Sequence, residues 1–562
     1  MSVPQNPFSK IKDKLAQMRR EAEERDAKRR AEKTKFPYAD LSTTSINIEA
    51  LSLISEEDAK KAKLAAIKSK EKKVALAVFD SENPEAKKII EKLKTEGYTL
   101  SIFTVSLGGL NHIWNFYKFV FKKPENITGR VKIEEKKLLE LKDALISLKS
   151  INDAIAELNE KAGYTGEILE VILAGALSMR ASDIHFEPSE HSAKIRLRID
   201  GLLYDIFNKL KPKTHGNIIS RIKLLSRLKI NINDQPQDGR FTIALSNKEI
   251  EIRTSINPSE FGETAVLRIL DPDSIHVGLP QLGFRKDDLE IIEKELGKPN
   301  GMILNTGPTG SGKTTTLYAF LQRTQKPESK TITIEDPIEY HLEGIEQTQV
   351  EPGSGYTFSS GLRSLLRQDP DMILIGEIRD LETAEIAIHA SLTGHLVFST
   401  LHTNDASGAV PRMIDLGVKT SVLAPAMNLI IAQRLVRKLC EKCKVEKKAD
   451  AELENKIKNF IEKLPDRVDK NFYKSNIKIF EPKGCDKCNN LGYKGRVGVF
   501  ELLLVDGDME LLIGKDPTEI GIKGLAIKKG IVMMQQDGIL KSISGITTFD
   551  EVEKSTGAIE WG

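Results

Sequence analysis

The stretch Met302–Gln322, MILNTGPTGSGKTTTLYAFLQ, decides how the rest of the chain is read. Met302–Asn305 is a short apolar run that predicts a strand, and Thr315–Gln322 predicts a helix. Between them, Gly307 to Thr314 fit the pattern G-x-x-x-x-G-K-[ST]. A strand before and a helix after give that pattern its physical meaning. The glycines let successive backbone N–H groups turn inward around phosphate oxygens, and the following helix adds its positive N-terminal end. The loop predicts Gly307, Thr309, Gly310, Ser311, Gly312, Lys313, Thr314 and Thr315 as nucleotide-binding residues. Lys313 is placed to reach the β- and γ-phosphates, and the Thr314 hydroxyl to face Mg²⁺.

Around this loop, Met302–Asn305, Thr331–Ile334, Met372–Ile375 and Leu396–Ser399 are short apolar runs separated by helical stretches. That alternation predicts a largely parallel sheet with crossover helices from about residue 276 onward. Two of the strands run into acid, at Glu335-Asp336-Pro337-Ile338-Glu339 and at Gly376-Glu377-Ile378-Arg379-Asp380. Ligands sit at the carboxyl ends of strands in such sheets. Carboxylates there can hold hydrated Mg²⁺ or orient an attacking water. The alternative reading is that one of these acids merely caps a helix or pairs with an arginine.

Upstream, Ala193–Ile199 alternates as a half-buried strand, and Asp200-Gly201 marks a tight hairpin turn. Tyr164–Ser178 reads as an amphipathic helix, and Arg240–Leu245, Glu249–Ser255 and Thr264–Leu270 as further strands, giving a sheet with one helical face. Val74–Phe79, Pro84–Glu96 and Thr99–Val105 read as strand, helix and strand of a smaller α/β unit, and Ile133–Ala162 as a helical link. Residues 1–35 are dense in Lys, Arg and Glu, as in Met18–Arg30 (MRREAEERDAKRR), and read as a solvated, partly helical or disordered arm, the alternative being a basic arm that touches anionic lipid or a partner.

With 562 residues the chain exceeds one hydrophobic core and should hold about three to five units. Hydrophobic residues at 40% and charged residues at 29% fit a globular protein. A net charge of +3 gives no general reason to expect a nucleic-acid partner. No run approaches the roughly 18 apolar residues of a membrane span. The longest candidate, Val422–Ala432, is broken by Pro425 and Asn428. The polar N-terminus lacks the apolar core of a secretory signal, so a cytoplasmic location is expected.

All four cysteines fall in two pairs, Cys440-Glu-Lys-Cys443 and Cys485-Asp-Lys-Cys488. Two Cys-x-x-Cys pairs suit a tetrahedral Zn²⁺, and four thiolates leave no open position for catalysis. Redox chemistry or plain buried thiols are the alternatives. The interval 444–484 is longer than in compact zinc ribbons and predicts a helical insert.

The phosphate loop, TIEDPIE (Thr333–Glu339), LRQDPDMILIGEIRD (Leu366–Asp380) and TGHLVFSTLHTNDA (Thr393–Ala406) occur in this order. The set resembles the secretion-superfamily ATPases of type II secretion, type IV pili and archaeal flagella, over the chain from about 165 to the end. The resemblance is nearest to type IV pilus assembly ATPases. It implies an α/β fold: a RecA-like P-loop NTPase core at 276–436, preceded by a PAS-like α/β domain at 165–275. It further implies a charged arm at 1–40, a docking domain at 41–130, a helical linker at 131–164, a tetracysteine zinc element at 437–498 and a C-terminal helical region at 499–562.

The resemblance also implies site roles. Glu335 polarises water and Glu377 is the acid near Mg²⁺, two roles that are exchangeable. His395 and His402 match a histidine box that senses the γ-phosphate and neighbouring elements. Arg253 and Arg268 contact phosphate when two domains close. Arg363, Arg367, Arg379 and Arg496 are further arginines of the motor. The implied activity is Mg²⁺-dependent ATP hydrolysis by a homohexamer. It would act at the inner face of the cytoplasmic membrane through a platform protein, to power pilus assembly. Type II secretion, and then DNA uptake or conjugation, are the alternatives. Ile48–Asn115 weakly resembles the N-terminal domain of pilus assembly ATPases, mostly through Glu49–Lys63 (EALSLISEEDAKKAK). The Arg/Lys-Leu-Gly start of versions that bind cyclic di-GMP is missing, so docking is favoured over that nucleotide.

Overall fold

In the computed structural model the chain divides into two units, Met1–Ile269 and Leu270–Gly562. The described residues are 7–34, 36–41, 47–70, 72–119, 130–131, 140–141, 144–161, 163–245, 249–272, 277–475 and 477–561.

The first unit opens with a three-stranded sheet of β1 (Leu64–Lys70), β2 (Lys73–Val78) and β3 (Thr99–Thr104), in that order. β1 and β2 are antiparallel, while β2 and β3 are parallel and joined by the helix Pro84–Thr95. Asn83 caps that helix by accepting from Glu85 N, and Pro84 stands in its first turn. β1 was not legible in the sequence, because LAAIKSK continues the lysine-rich helical run before it. Lys63, with φ 51°, ends that helix and releases the strand.

The charged segment departs from a freely solvated arm. Pro7–Thr34 is a helix in which Ala27 and Ala31 are buried. The Arg30 guanidinium lies 4.0 Å over the Phe79 ring. It also donates to Phe79 O, and to Val105 O at 3.2 Å. Two alanines four residues apart supply an apolar contact that the surrounding charges hide in the sequence. Of the predicted link Ile133–Ala162, residues 133–139, 142, 143 and 162 lie outside the described residues; within it, Leu148–Glu160 is a helix capped by Ser147.

A seven-stranded sheet follows, in the order β4-β8-β9-β10-β5-β6-β7. Its strands are β4 (Arg130–Val131), β5 (Asp183–Pro188), β6 (Ala193–Ile199), β7 (Leu202–Leu210), β8 (Gln237–Ala244), β9 (Glu249–Ser259) and β10 (Gly262–Leu270). Asp200 and Gly201 turn β6 into β7 with φ 49° and 90°, as a two-residue hairpin with matched twist requires. The helices Leu148–Glu160, Thr165–Ser178 and Pro212–Leu225 bury Ile151, Ile172 and Ile222 among others.

The second unit is built on another seven-stranded sheet, ordered β13-β12-β14-β15-β11-β16-β19. These are β11 (Gly301–Thr306), β12 (Thr331–Glu335), β13 (Glu346–Gln349), β14 (Met372–Ile375), β15 (Leu396–Leu401), β16 (Met427–Leu439) and β19 (Tyr493–Leu504). All neighbours are parallel except β16 and β19. β11, β12, β14 and β15 are buried along their whole length, which explains their unbroken apolar runs. The helix Lys313–Thr324 covers one face, with Leu317 and Phe320 in a core shared with Ile303 and Phe398. Phe358–Leu365 and Leu381–Leu392 cover the other, through Leu362 and Ile388.

The break seen in Val422–Ala432 is a junction, where the helix Thr420–Ala426 passes into β16. No helix among the described residues is long and apolar enough to cross a membrane. The boundaries expected at 436/437 and 498/499 fall inside β16 and β19, which pair from Leu429↔Leu504 to Leu439↔Tyr493. Between the cysteine pairs lie the small ladder of β17 (Lys444–Lys447) with β18 (Ile479–Pro482) and the helices Ala451–Lys463 and Lys470–Ser475. Ile457, Phe460 and Ile461 pack there against Val532, Ile539 and Ile543.

An ionic cluster ties the two ends of this unit together. Arg285 donates to Asp288 at 2.7 Å and to Asp537 at 2.8 Å. Asp537 also pairs with Lys541 and accepts from Phe500 N at 2.8 Å. Arg467, from the insert, reaches Asp288 at 2.9 Å. Each charge is compensated by at least one opposite charge, as burial demands.

Candidate nucleotide site and metal centre

β11 delivers the chain into a loop where Gly307, Gly310 and Gly312 have φ of 148°, 80° and 91°. A Cβ on Gly307 would stand 2.5 Å from Gln433 O, so a side chain is excluded there by sterics as well as by φ. Lys313 Nζ folds back to donate to Gly307 O at 2.7 Å and Pro308 O at 3.2 Å. Burial draws the pKa of this lysine down to about 8; the carboxylate of Glu377 opposes the shift and Arg434 adds to it. The Ser311 hydroxyl is buried and has no partner among the described residues, so it can donate to a phosphate oxygen. Thr309 and Gly310 are exposed, and Thr314 and Thr315 are half-buried in the first helical turn. Beneath the loop, Asn305 Nδ2 and Thr316 Oγ1 both donate to Gln433 Oε1 at 2.9 Å.

The two acids sit at the same edge. Gly376 N donates to Ile334 O at 2.8 Å, which carries the β12–β14 pairing out to the strand ends. Glu377 pairs with Arg379, and its other oxygen lies 3.4 Å from His402 Nε2. Arg379 also lies 3.6 Å from Asp336. Glu335 turns inward and is only 3% exposed. It accepts from Tyr318 OH, from Thr333 Oγ1 at 2.5 Å and from Gln347 Nε2 at 3.2 Å. Burial pushes its pKa up, and these donors work against the shift. Glu339, on the turn beyond, is half-buried.

The histidines do not come together. β15 runs parallel to β11, with Leu396 beside Gly301 and Leu401 beside Thr306. His395 precedes the strand and His402 follows it, about 23 Å apart for a strand of this length. His402 reaches Glu377, whereas His395 Nδ1 hydrogen-bonds Ala390 O at 3.0 Å on the opposite edge. Of the two, only His402 lies at the edge that holds the phosphate loop.

Arg363 pairs with Glu382 at 2.6 Å, both side chains 54% exposed, and Arg367 donates to Arg363 O at 2.9 Å. Arg496 is exposed on β19, opposite Arg437 of β16. In the first unit, Arg253 lies on β9, 3.4 Å from Glu251. Arg268 lies on β10 and shares Asp183 with Arg198, at 3.0 and 3.4 Å.

Several contributors escape sequence reading. Gln433 and Arg434 come from β16, more than a hundred residues after the loop. Thr403 closes on Thr306 through a 2.7 Å hydroxyl pair, inside a segment whose histidines draw attention first. Glu501 of β19 is 2% exposed and accepts from Ala406 N at 3.1 Å and Met534 N at 3.3 Å. Burial lifts its pKa to about 7.

The four cysteine sulfurs lie within 4.8 Å of one another, and no disulfide joins them. Sγ separations are 4.0 Å for Cys440–Cys485, 3.6 Å for Cys443–Cys488 and 3.8 Å for Cys485–Cys488. A tetrahedral ion with Zn–S bonds of about 2.3 Å needs sulfurs about 3.8 Å apart, so the donor set fits. Backbone N–H groups of Cys485 and Gly492 donate to Cys488 Sγ, each at 3.2 Å. Burial disfavours the Cys488 thiolate, but these donors outweigh it and leave the thiol at about 7.

A glycine loop between strand and helix, with acids at the neighbouring strand ends, defines a P-loop nucleotide site. A family profile described as type II/IV secretion system protein matches residues 159–554. The chain belongs to that family and is one of its ATPases. It is 43% identical to type II secretion system protein E of Dickeya dadantii over 391 residues, covering 69% of this chain and 75% of that one. It is 41% identical to the type IV pilus assembly ATPase PilB of Myxococcus xanthus over 395 residues, covering 69% and 67%. Its fold is like that of the Legionella pneumophila ATPase DotB, with a TM-score of 0.51 and 22% identity over 70% of this chain and 96% of that one.

Proposed function

We propose that this chain is a Mg²⁺-dependent ATP-hydrolysing motor that works as a homohexamer and powers assembly of a type IV pilus. The observation that carries the proposal is the gathering of the phosphate loop, Glu377 and His402 at one edge of one parallel sheet. Lys313 and the loop N–H groups take the phosphates, and Thr314 with Glu377 holds Mg²⁺. With Mg²⁺ bound, the γ-phosphoryl group becomes the electrophile for water. Glu335, buried and holding three donors, suits an anchoring role better than proton transfer, so Glu377 is assigned the water as well. Arg253 and Arg268 are assigned to the charge that spreads over the phosphoryl group. The four cysteines are assigned a structural Zn²⁺.

The strand order β16-β11-β15-β14-β12 supports a RecA-like core, and the divisions at 40, 130, 164 and 275 are kept as proposed domain limits. The pilus is favoured by the resemblance in Ile48–Asn115, a region that precedes the matched residues. The 43% identity to a type II secretion protein favours the second reading, a secretion motor of the same mechanism. In both, the ring works at the inner face of the membrane through a platform protein, with no nucleic-acid substrate and no cyclic di-GMP.

Steady-state ATP hydrolysis, with sizing of the same sample and Glu377→Gln as control, tests the motor. Turnover that rises with a ring-sized species and vanishes in the variant supports it, and fast hydrolysis by a strict monomer removes the ring. Deletion of the gene separates the two machines: loss of surface filaments with secretion intact supports the pilus, and the reverse supports secretion. Metal analysis should return about one zinc per chain; folded, zinc-free protein would remove the assignment.

A further inference from the structure

Tyr318 lies five residues after Lys313 on the helix that the phosphate loop opens, and its side chain is completely buried. Its hydroxyl donates to Glu335 Oε2. Gln347 of β13 approaches both partners, with Nε2 at 3.2 Å from Glu335 Oε1 and 3.4 Å from Tyr318 OH. The same Gln347 binds the turn that leaves β12: Nε2 donates to Tyr340 O at 3.1 Å, and Oε1 accepts from Leu342 N at 2.7 Å. The Tyr340 ring stands edge-on to Tyr318, with centroids 4.6 Å apart. The turn from Asp336 to Tyr340 is therefore fastened at its start by Glu335 and at its end by Tyr340, and both fastenings meet at Tyr318. This turn carries Asp336, which faces Arg379 and through it Glu377.

We propose that Tyr318 is a positioning residue for hydrolysis, and that its hydroxyl ties the phosphate-loop helix to the acidic turn after β12. When the loop closes on nucleotide, its helix and the acidic turn move as one body, so the acids keep their register with the γ-phosphate. Phenylalanine would fill the core as well, without a buried hydroxyl that must find a partner. The hydroxyl is instead spent on a carboxylate that has two other donors. A bond of this charge-assisted kind is worth enough that its loss from an aligned site lowers turnover by about ten-fold or more.

The inference rests on the ATPase reading above, and the experiment keeps the two apart. The full chain is compared with Tyr318→Phe, Glu335→Gln and the double variant. The readouts are kcat, KM for ATP, affinity for a fluorescent ADP analogue and the unfolding midpoint. Tyr318→Phe should lower kcat about ten-fold with KM and ADP affinity within about two-fold. The double variant should be no slower than Glu335→Gln alone, because both substitutions break one link. Gln347→Met, which keeps the tyrosine, should lower kcat in the same direction. Unchanged kcat in Tyr318→Phe would overturn the inference. So would equal losses in ADP affinity and kcat, or additive losses in the double variant, which mark a packing defect. If Tyr318→Phe does not fold, an unchanged kcat in Gln347→Met overturns it by itself. An inactive wild-type ring would instead defeat the ATPase reading.

Discussion

The second unit holds two clusters of charge built on opposite terms. At the strand ends, Glu377, Arg379, Asp336 and His402 are partly open to solvent, and two of their contacts are as long as 3.4 and 3.6 Å. In the lock formed by Arg285, Asp288, Asp537 and Lys541, every side chain is at most 5% exposed and the contacts are short. Charges that keep water can change partners at little cost, whereas charges that have lost it can only stay paired. The first arrangement suits groups that must receive and release a phosphate with its metal. The second suits a joint between the start of the unit and its last helices.

The contrast can be broken most sharply at Asp537. Asp537→Ala should destabilise the protein by about 3–5 kcal/mol, since it leaves Arg285 and Lys541 buried with fewer counter-charges. Denaturant unfolding measures this, and a loss below about 1 kcal/mol would make the lock no different from surface pairs. Lys313→Ala should do the opposite, cutting turnover by about a hundred-fold or more while leaving the unfolding midpoint almost unmoved.

Glu501 tests an intermediate case, a buried carboxyl whose hydrogen bonds come from backbone N–H groups. Its pKa is raised to about 7, so the folded chain keeps a proton that the unfolded chain gives up at lower pH. Stability should therefore fall as pH rises through the window from about 4.5 to about 7, and level off above it. Glu501→Gln should start less stable, because one N–H loses its acceptor, yet lack that fall. The difference in pH dependence between the two proteins should be on the order of 2–3 kcal/mol between pH 5 and pH 8; parallel curves would contradict the assignment. The smallest effect is expected at Arg363. Arg363→Ala removes a pair with both partners half in solvent, and should change stability by less than about 1 kcal/mol.

What could be read from the sequence was whatever is written locally. The strand Ala193–Ile199 alternates, the central strands are unbroken apolar runs, and the phosphate loop and cysteine pairs have fixed spacings. Each of these signals fits within about ten residues. The features that went unread depend on partners far along the chain. Glu335 looks like any acid at a strand end until Tyr318 and Gln347 arrive 17 residues before it and 12 after it. His395 and His402 look like a pair until the strand between them is laid out straight. The docking of the first helix depends on Ala27, Ala31 and one arginine over a ring, which no charge pattern announces.

β16 has a consequence that reaches beyond either cluster. It runs from Met427 to Leu439, held by β11 on one side and β19 on the other. Gln433, near its middle, sits under the phosphate loop, and Cys440 follows its last residue. β11 pairs with it only as far as Ala432, and from Gln433 onward its ladder is with β19 alone. A shift at Gln433 therefore has this one ladder along which to pass toward the first thiolate, about 23 Å away. The phosphate loop and the cysteine cluster thus share one length of chain, and β19 is the rail that joins them.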